Sequence, residues 1–368
     1  PMIAVTCNLN TDQLGRSIQM YIDHHALFAP ITKATLAFRH GHVADTLAEA
    51  LHLAMSEPRG PVHIDLPEDV ALAPAEEDVP NIAGGSAMDA APDDSVARAA
   101  SLLGDAKRPV AVLGSTAMRI PDLNLLRRFV EHHNLPFAVT TMAKGLIDDE
   151  HPLALGCIER GRRQHQRALL RSADLIVGVG YDTIEVEYEA WIGDAPLLQI
   201  DIDPVDVADS VNFKHEVTGD LASSLERLCT TQSGTNTWTE QEVTDHGKTF
   251  QELLRPDVPG FSAHRAIDAV RSALPRDGIL TFDVGAHTHQ IASQWSAHAP
   301  KTFLITNGWS SMGFGLPSAI AAKLANPDND VVCLIGDGCF QMTCGELATA
   351  KRLGLTLPVV VLDDRWLG

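Results

Sequence analysis

Short apolar runs alternate with apolar residues at helical spacing along nearly the whole chain, and that alternation predicts parallel α/β units. Residues Pro1 to Thr6 read as a buried strand, Val43 to Met55 as a helix and Val62 to Leu66 as a strand that Pro67 ends; Ala71 to Pro92 reads as a linker. A second segment follows with a helix at Val96 to Leu103, a strand at Pro109 to Gly114, a helix at Asp122 to His132 and a strand at Pro136 to Thr140. It continues with a helix at Gln164 to Arg171, strands at Leu175 to Val179 and Leu197 to Ile202, and a helix after Asp220. Thr230 to Lys248 reads as a polar stretch that leads into a linker through Pro259. The third segment has a helix at Ala263 to Leu274, a strand at Ile279 to Asp283, a polar turn, a Gly-rich loop at Gly308 to Gly315 and a helix at Pro317 to Leu324. A strand at Val331 to Ile335, a helix at Gly345 to Leu353 and a last strand at Val359 to Leu362 complete it. With a strand at each extreme, the first and last domains are expected to be incomplete.

Composition narrows the classes. A length of 368 residues suits two or three domains, and 45% hydrophobic with 21% charged residues suits folded globular ones. Lys and Arg number 28 against 48 Asp and Glu, a formal charge of -20, which disfavours nucleic-acid backbones and anionic membranes as partners. An anionic ligand would need local neutralisation by a metal ion or a helix N-terminus. Six scattered cysteines with no C-x-x-C pair read as reduced thiols of a cytoplasmic protein.

The sharpest chemical signal is Gly336-Asp337-Gly338 directly after one apolar strand, with a second acidic turn, Asp363-Asp364, directly after another. In a parallel sheet both fall at strand carboxyl ends, where open α/β sheets bind ligands. Flanking glycines admit a ligand close to the backbone, and two carboxylates with backbone carbonyls suit Mg²⁺ completed by phosphate oxygens. This pairing resembles the motif of the thiamine diphosphate-dependent enzymes, with Asp363-Asp364 where Asn-Asn is usual in that superfamily. Asp283-Val284-Gly285-Ala286-His287 resembles the diphosphate-holding turn of its acetolactate synthase-like members, and Asn307 to Pro317 resembles their Gly-rich loop.

The resemblance implies a fold of three Rossmann-like, doubly wound parallel-sheet domains: the end of a pyrimidine-binding domain over residues 1–75, a central domain over 94–230 and the start of a diphosphate-binding domain over 261–368. It implies Asp337, Asp364 and the backbone carbonyl of Trp366 as Mg²⁺ ligands. The cofactor would be held by Val284, Gly285, Ala286, His287, Ser311, Met312, Gly336, Asp337, Gly338 and Cys339, with Met312 bending it. The family's catalytic glutamate is expected upstream of Pro1, so no catalytic residue is assigned here. At the place of the arginine-containing turn of anabolic acetolactate synthases stands Gly180-Tyr181-Asp182-Thr183-Ile184, similar to flavin-independent catabolic ones; FAD is therefore less expected, although Gly114-Ser115-Thr116 offers a nucleotide contact. The implied activity is decarboxylation of a small 2-oxo acid, followed by carboligation or aldehyde release, in a homodimer or homotetramer. A C–C lyase or oxidase of the same superfamily, or a non-catalytic cofactor-binding or assembly partner, are the competing readings.

Overall fold

The computed structural model describes residues 1–74, 77–78 and 84–364, together with the backbone of Glu189 but not its side chain. It divides into two units, residues 1–89 and 90–368. The first holds a parallel sheet of β1 (Met2–Asn8), β2 (Ala34–Ala37) and β3 (Pro61–Pro67), in the order β1-β3-β2. The helix Val43–Met55 packs on it through Ala50 and Ala54, and Val62 and Ile64 complete that core.

The second unit holds two sheets. The first is built from β4 (Pro109–Leu113), β5 (Phe137–Val139), β6 (Ala154–Cys157), β7 (Leu175–Val179), β8 (Leu197–Asp201) and β9 (Phe213–Thr218), all parallel, in the order β6-β5-β4-β7-β8-β9. Strands β4, β7 and β8 are buried along their full length. Helices cover both faces of such a sheet, so its central strands read as nearly continuous apolar runs, β8 alone carrying buried Gln199 and Asp201. Leu113, Phe129 and Leu198 belong to the core on one face; Val112, Tyr188 and Trp191 belong to the core on the other.

The second sheet of this unit comprises β10 (Ile279–Phe282), β11 (Phe303–Leu304), β12 (Val331–Gly336) and β13 (Val359–Leu362), parallel, in the order β11-β10-β12-β13. A buried ion pair, Lys144 Nζ to Asp149 Oδ2 at 2.7 Å, ties the two sheets' surroundings together, because the same Asp149 oxygen accepts from the Ala297 N–H at 2.9 Å.

The three parallel sheets match the α/β expectation, and several local readings need correction. The stretch from Thr230 to Lys248 is not uniformly polar coil: Glu240–Leu253 is a 14-residue helix. Its start is fixed by a capping box, in which the Thr239 hydroxyl accepts from the Glu242 N–H while Glu242 accepts from the Thr239 N–H. The polar turn after β10 is also a helix, Ala286–Gln294, which buries Ile291 and Ala292. Strands β2, β6, β9 and β11 are absent from the sequence reading, and Asp337 opens a helix, Asp337–Thr343, rather than a bare turn.

Candidate functional site

Strand order in the β11-β10-β12-β13 sheet reverses between β10 and β12, and the carboxyl ends of strands flanking such a reversal form the ligand crevice of open α/β sheets. The sequence motifs converge there. Register pairs Gly336 with Leu362, so Asp337 and Asp363 leave β12 and β13 at the same level. A cavity of about 880 Å³ opens at this point, lined among others by Val284, Gly285, Ala286, His287, Met312, Gly336, Asp337, Gly338, Cys339, Asp363 and Asp364.

Each side chain is placed by a local reason. Asp283, at the end of β10, is fully buried, and its carboxylate accepts from Val284 N–H at 2.8 Å, Gly315 N–H at 2.8 Å and Gly313 N–H at 3.1 Å. One aspartate therefore fixes both the diphosphate-type turn and the Gly-rich loop. Gly313 has φ of +94°, which favours glycine, and the loop places Met312 against the cavity. Thr288 locks the turn from the helix side: its hydroxyl donates to the Asp283 carbonyl at 2.6 Å and accepts from Gly285 N–H at 2.8 Å. Across the crevice, the Cys339 thiol donates to the Val284 carbonyl at 2.9 Å, joining the turn to the helix that Asp337 opens. Burial, then the neighbouring Asp283, pushes that thiol up to about 11, so it is a packed donor rather than a thiolate.

His287 is held between two glycines. A Cβ at Gly285 or Gly336 would lie 2.8 or 2.9 Å from its Cε1, so a side chain at either position would push the imidazole aside. Burial holds this imidazole below its ordinary value, against the opposing pull of Asp283 and Asp364. Its Nε2 is buried with no hydrogen-bond partner among the described residues. A buried orphan nitrogen beside a cavity walled by carboxylates suits a ligand that carries anionic oxygens together with a divalent cation, which is the donor chemistry of a Mg²⁺ diphosphate.

Two predicted positions stand apart from this picture. Ser311 is exposed and outside the cavity's lining, and Trp366 lies outside the described residues. Asp283 and Thr288 were not singled out as site residues by sequence, although the DVGAH match contained the first. His289, two residues on, turns away to bond Glu159 Oε1 at 2.9 Å. Burial would raise the Glu159 carboxyl, yet that bond with others keeps it below its usual range. Close by, Trp309 stands 94% exposed on the loop that carries Met312. In the first unit, the adjacent His24 and His25 both bond within that unit: His24 Nδ1 lies 2.9 Å from Thr6 Oγ1, and His25 Nδ1 lies 2.7 Å from Thr35 Oγ1.

Among the described residues, one group of three ligand-type side chains is close enough to share a cation: Asp148, Glu150 and His298. Arg276 already bridges the two carboxylates at 2.6 and 2.8 Å, and His298 bonds Asp148 at 3.0 Å, so internal ion pairs account for it.

Comparison with known families agrees with the geometry. Residues 96–228 match the profile described as "Thiamine pyrophosphate enzyme, central domain", and residues 283–368 match "Thiamine pyrophosphate enzyme, C-terminal TPP binding domain". The chain belongs to the thiamine pyrophosphate (thiamine diphosphate) enzyme family, on its acetolactate synthase-like side. It is 30% identical over 374 residues to the acetolactate synthase isozyme 1 large subunit of Escherichia coli (strain K12). Against the acetolactate synthase large subunits of Parasynechococcus marenigrum and Corynebacterium glutamicum it is 29% and 28% identical over 384 and 385 residues. All of this chain is aligned in each case, with 66%, 62% and 61% of the relative, so it spans somewhat under two thirds of their length. No helix among the described residues is long and apolar enough to cross a membrane.

Proposed function

We propose that this protein is a thiamine diphosphate- and Mg²⁺-dependent enzyme that decarboxylates a small 2-oxo acid and joins the product to a second carbonyl, or releases it as an aldehyde, as acetolactate synthase-like enzymes do. The observation that carries the reading is the single cavity into which the β10 turn, the Gly-rich loop, the start of the Asp337 helix and the Asp363-Asp364 turn all open. When bound, thiamine diphosphate supplies the carbon nucleophile and the electron sink. Asp337 and Asp364 would hold Mg²⁺, with the Trp366 carbonyl as a further donor. His287 Nε2 would meet a diphosphate oxygen, and Gly285 and Gly336 leave the room in which its imidazole sits. Met312 would support the bent form of the cofactor, and Asp283 positions Met312 through the loop amides. Oligomeric assembly and a cytoplasmic location belong to the same reading; the six cysteines are all free, which suits a reducing compartment.

Titration of thiamine diphosphate with Mg²⁺ into the full-length protein, followed by calorimetry, tests it. Saturable Mg²⁺-dependent binding is expected, with CO₂ release from at least one of pyruvate, benzoylformate or glyoxylate. Asp337→Ala should abolish Mg²⁺-dependent binding, and unaltered binding would remove Asp337 as a ligand. Binding without turnover of any 2-oxo acid would favour a lyase, an oxidase or a non-catalytic role.

A further inference from the structure

The β6-β5-β4-β7-β8-β9 sheet has its own reversal of strand order, between β4 and β7, and this is where a doubly wound domain would take a dinucleotide. We infer that this crevice is closed to FAD and to dinucleotides of its class, because the Glu185 carboxyl group of the same chain occupies the place of the pyrophosphate. A pyrophosphate at such a crevice is held by free backbone N–H groups of the loop after the first strand. Here every one of them is engaged. Gly114 N–H donates to the Val179 carbonyl at 3.0 Å, Thr116 N–H to the Gly180 carbonyl at 3.0 Å and Ala117 N–H to the Gly114 carbonyl at 3.2 Å. The remaining one, Ser115 N–H, donates to Glu185 Oε2 at 2.9 Å, and the Thr140 hydroxyl donates to Glu185 Oε1 at 2.8 Å.

The gap between the two loops is closed as well as its hydrogen bonding, and the cavity of about 800 Å³ that Glu185 also lines opens on the other side, toward Asn307 and Gly308. The two loops touch so tightly that a Cβ at Gly114 would lie 2.4 Å from both the Gly180 oxygen and Tyr181 Cα, and one at Gly180 would lie 2.4 Å from the Ala117 nitrogen. Below them Tyr181 packs edge-on against Tyr188 with ring centroids 4.2 Å apart, and both are buried. The Tyr188 hydroxyl donates to Gln199 Oε1 at 2.5 Å, and Gln199 Nε2 donates to the Tyr181 carbonyl at 2.9 Å. This network is satisfied internally, so a pyrophosphate reaching the Ser115 N–H would first have to break both bonds that Glu185 accepts.

The test uses wild-type, full-length protein. It is titrated with FAD while flavin fluorescence is followed, and flavin released on denaturing the purified protein is quantified. No saturable FAD binding and only traces of flavin are expected; saturable or stoichiometric FAD overturns the inference. A parallel titration with thiamine diphosphate and Mg²⁺ keeps this separate from the catalytic reading, since failure there leaves the closed crevice untouched. Glu185→Ala should lower Tm, because Ser115 N–H and the Thr140 hydroxyl lose their acceptor, and added formate should restore part of the loss in the variant but not shift the wild type. Glu185→Gln, which keeps an acceptor, should retain most of the stability. An unchanged Tm in Glu185→Ala would overturn the role given to Glu185.

Discussion

Asp283 is the residue on which the cavity at the ends of β10 and β12 turns, although it touches the cavity only through what it holds. Its carboxylate takes three backbone N–H groups from two segments, and a buried carboxylate so engaged cannot be replaced by an amide without turning an NH₂ toward an N–H. Asp283→Asn should therefore cost about 1–3 kcal/mol in urea unfolding and weaken thiamine diphosphate binding in the same protein. Lys144 and Asp149 make a second residue-scale case. Asp149→Ala leaves a buried ammonium unpaired and should destabilise by about 3–5 kcal/mol, whereas the double replacement Lys144→Met with Asp149→Leu should recover much of the loss. The motif residues stood out in the sequence by their context, since Gly336-Asp337-Gly338 alone reads as an ordinary tight turn and only its pairing with Asp363-Asp364 after the next strand points to a ligand. Asp283 and Thr288 did not, since their role depends on which distant amides the fold brings to them. Ser311 shows the converse: a motif match put it with the cofactor group, while the loop leaves it exposed.

Elements with strong patterns were read well. Central strands β4 and β7 are continuous apolar runs, β8 departs from one only at Gln199 and Asp201, and the helix Val43–Met55 carries apolar residues at helical spacing. Those that escaped are half-exposed or short. The helix Glu240–Leu253 buries only Val243 and Phe250, seven residues apart, so its apolar stripe is too thin for periodicity to reveal. Its signature was instead the capping box at Thr239 and Glu242. Thr239→Ala should cost about 1 kcal/mol by thermal unfolding. Edge strand β9 buries only Val217 of its six residues, and β6 is made largely of small residues, which is why neither stood out. The helix Ala286–Gln294 begins in a Gly-Ala-His-Thr-His run whose polar character masked Ile291 and Ala292 beyond it.

At the scale of the molecule, buried titrating groups pull stability in opposite directions with pH. Burial holds His133 and His246 at about 4, so the unfolded chain takes up protons first on acidification, and their contribution is full above pH 6.5 and lost between there and about 4. Burial pushes Glu185 to about 7 and Asp201 to about 6; their contribution is full below the ordinary carboxylate range and is lost as pH rises through those values. Glu185→Gln removes one of the second kind, so its Tm relative to wild type should rise on going from acidic to mildly alkaline buffer; a difference independent of pH would show that Glu185 is not held neutral. The charge of -20 acts on the same scale, since it makes a divalent cation the natural bridge between so acidic a protein and a diphosphate. Trp309 gives the Gly-rich loop an optical reporter. Trp191, Trp238 and Trp295 are all buried, so a small anionic quencher such as iodide would reach Trp309 in preference to them, and the arrival of a ligand beneath Met312 could be timed by the dimming or shielding of its emission.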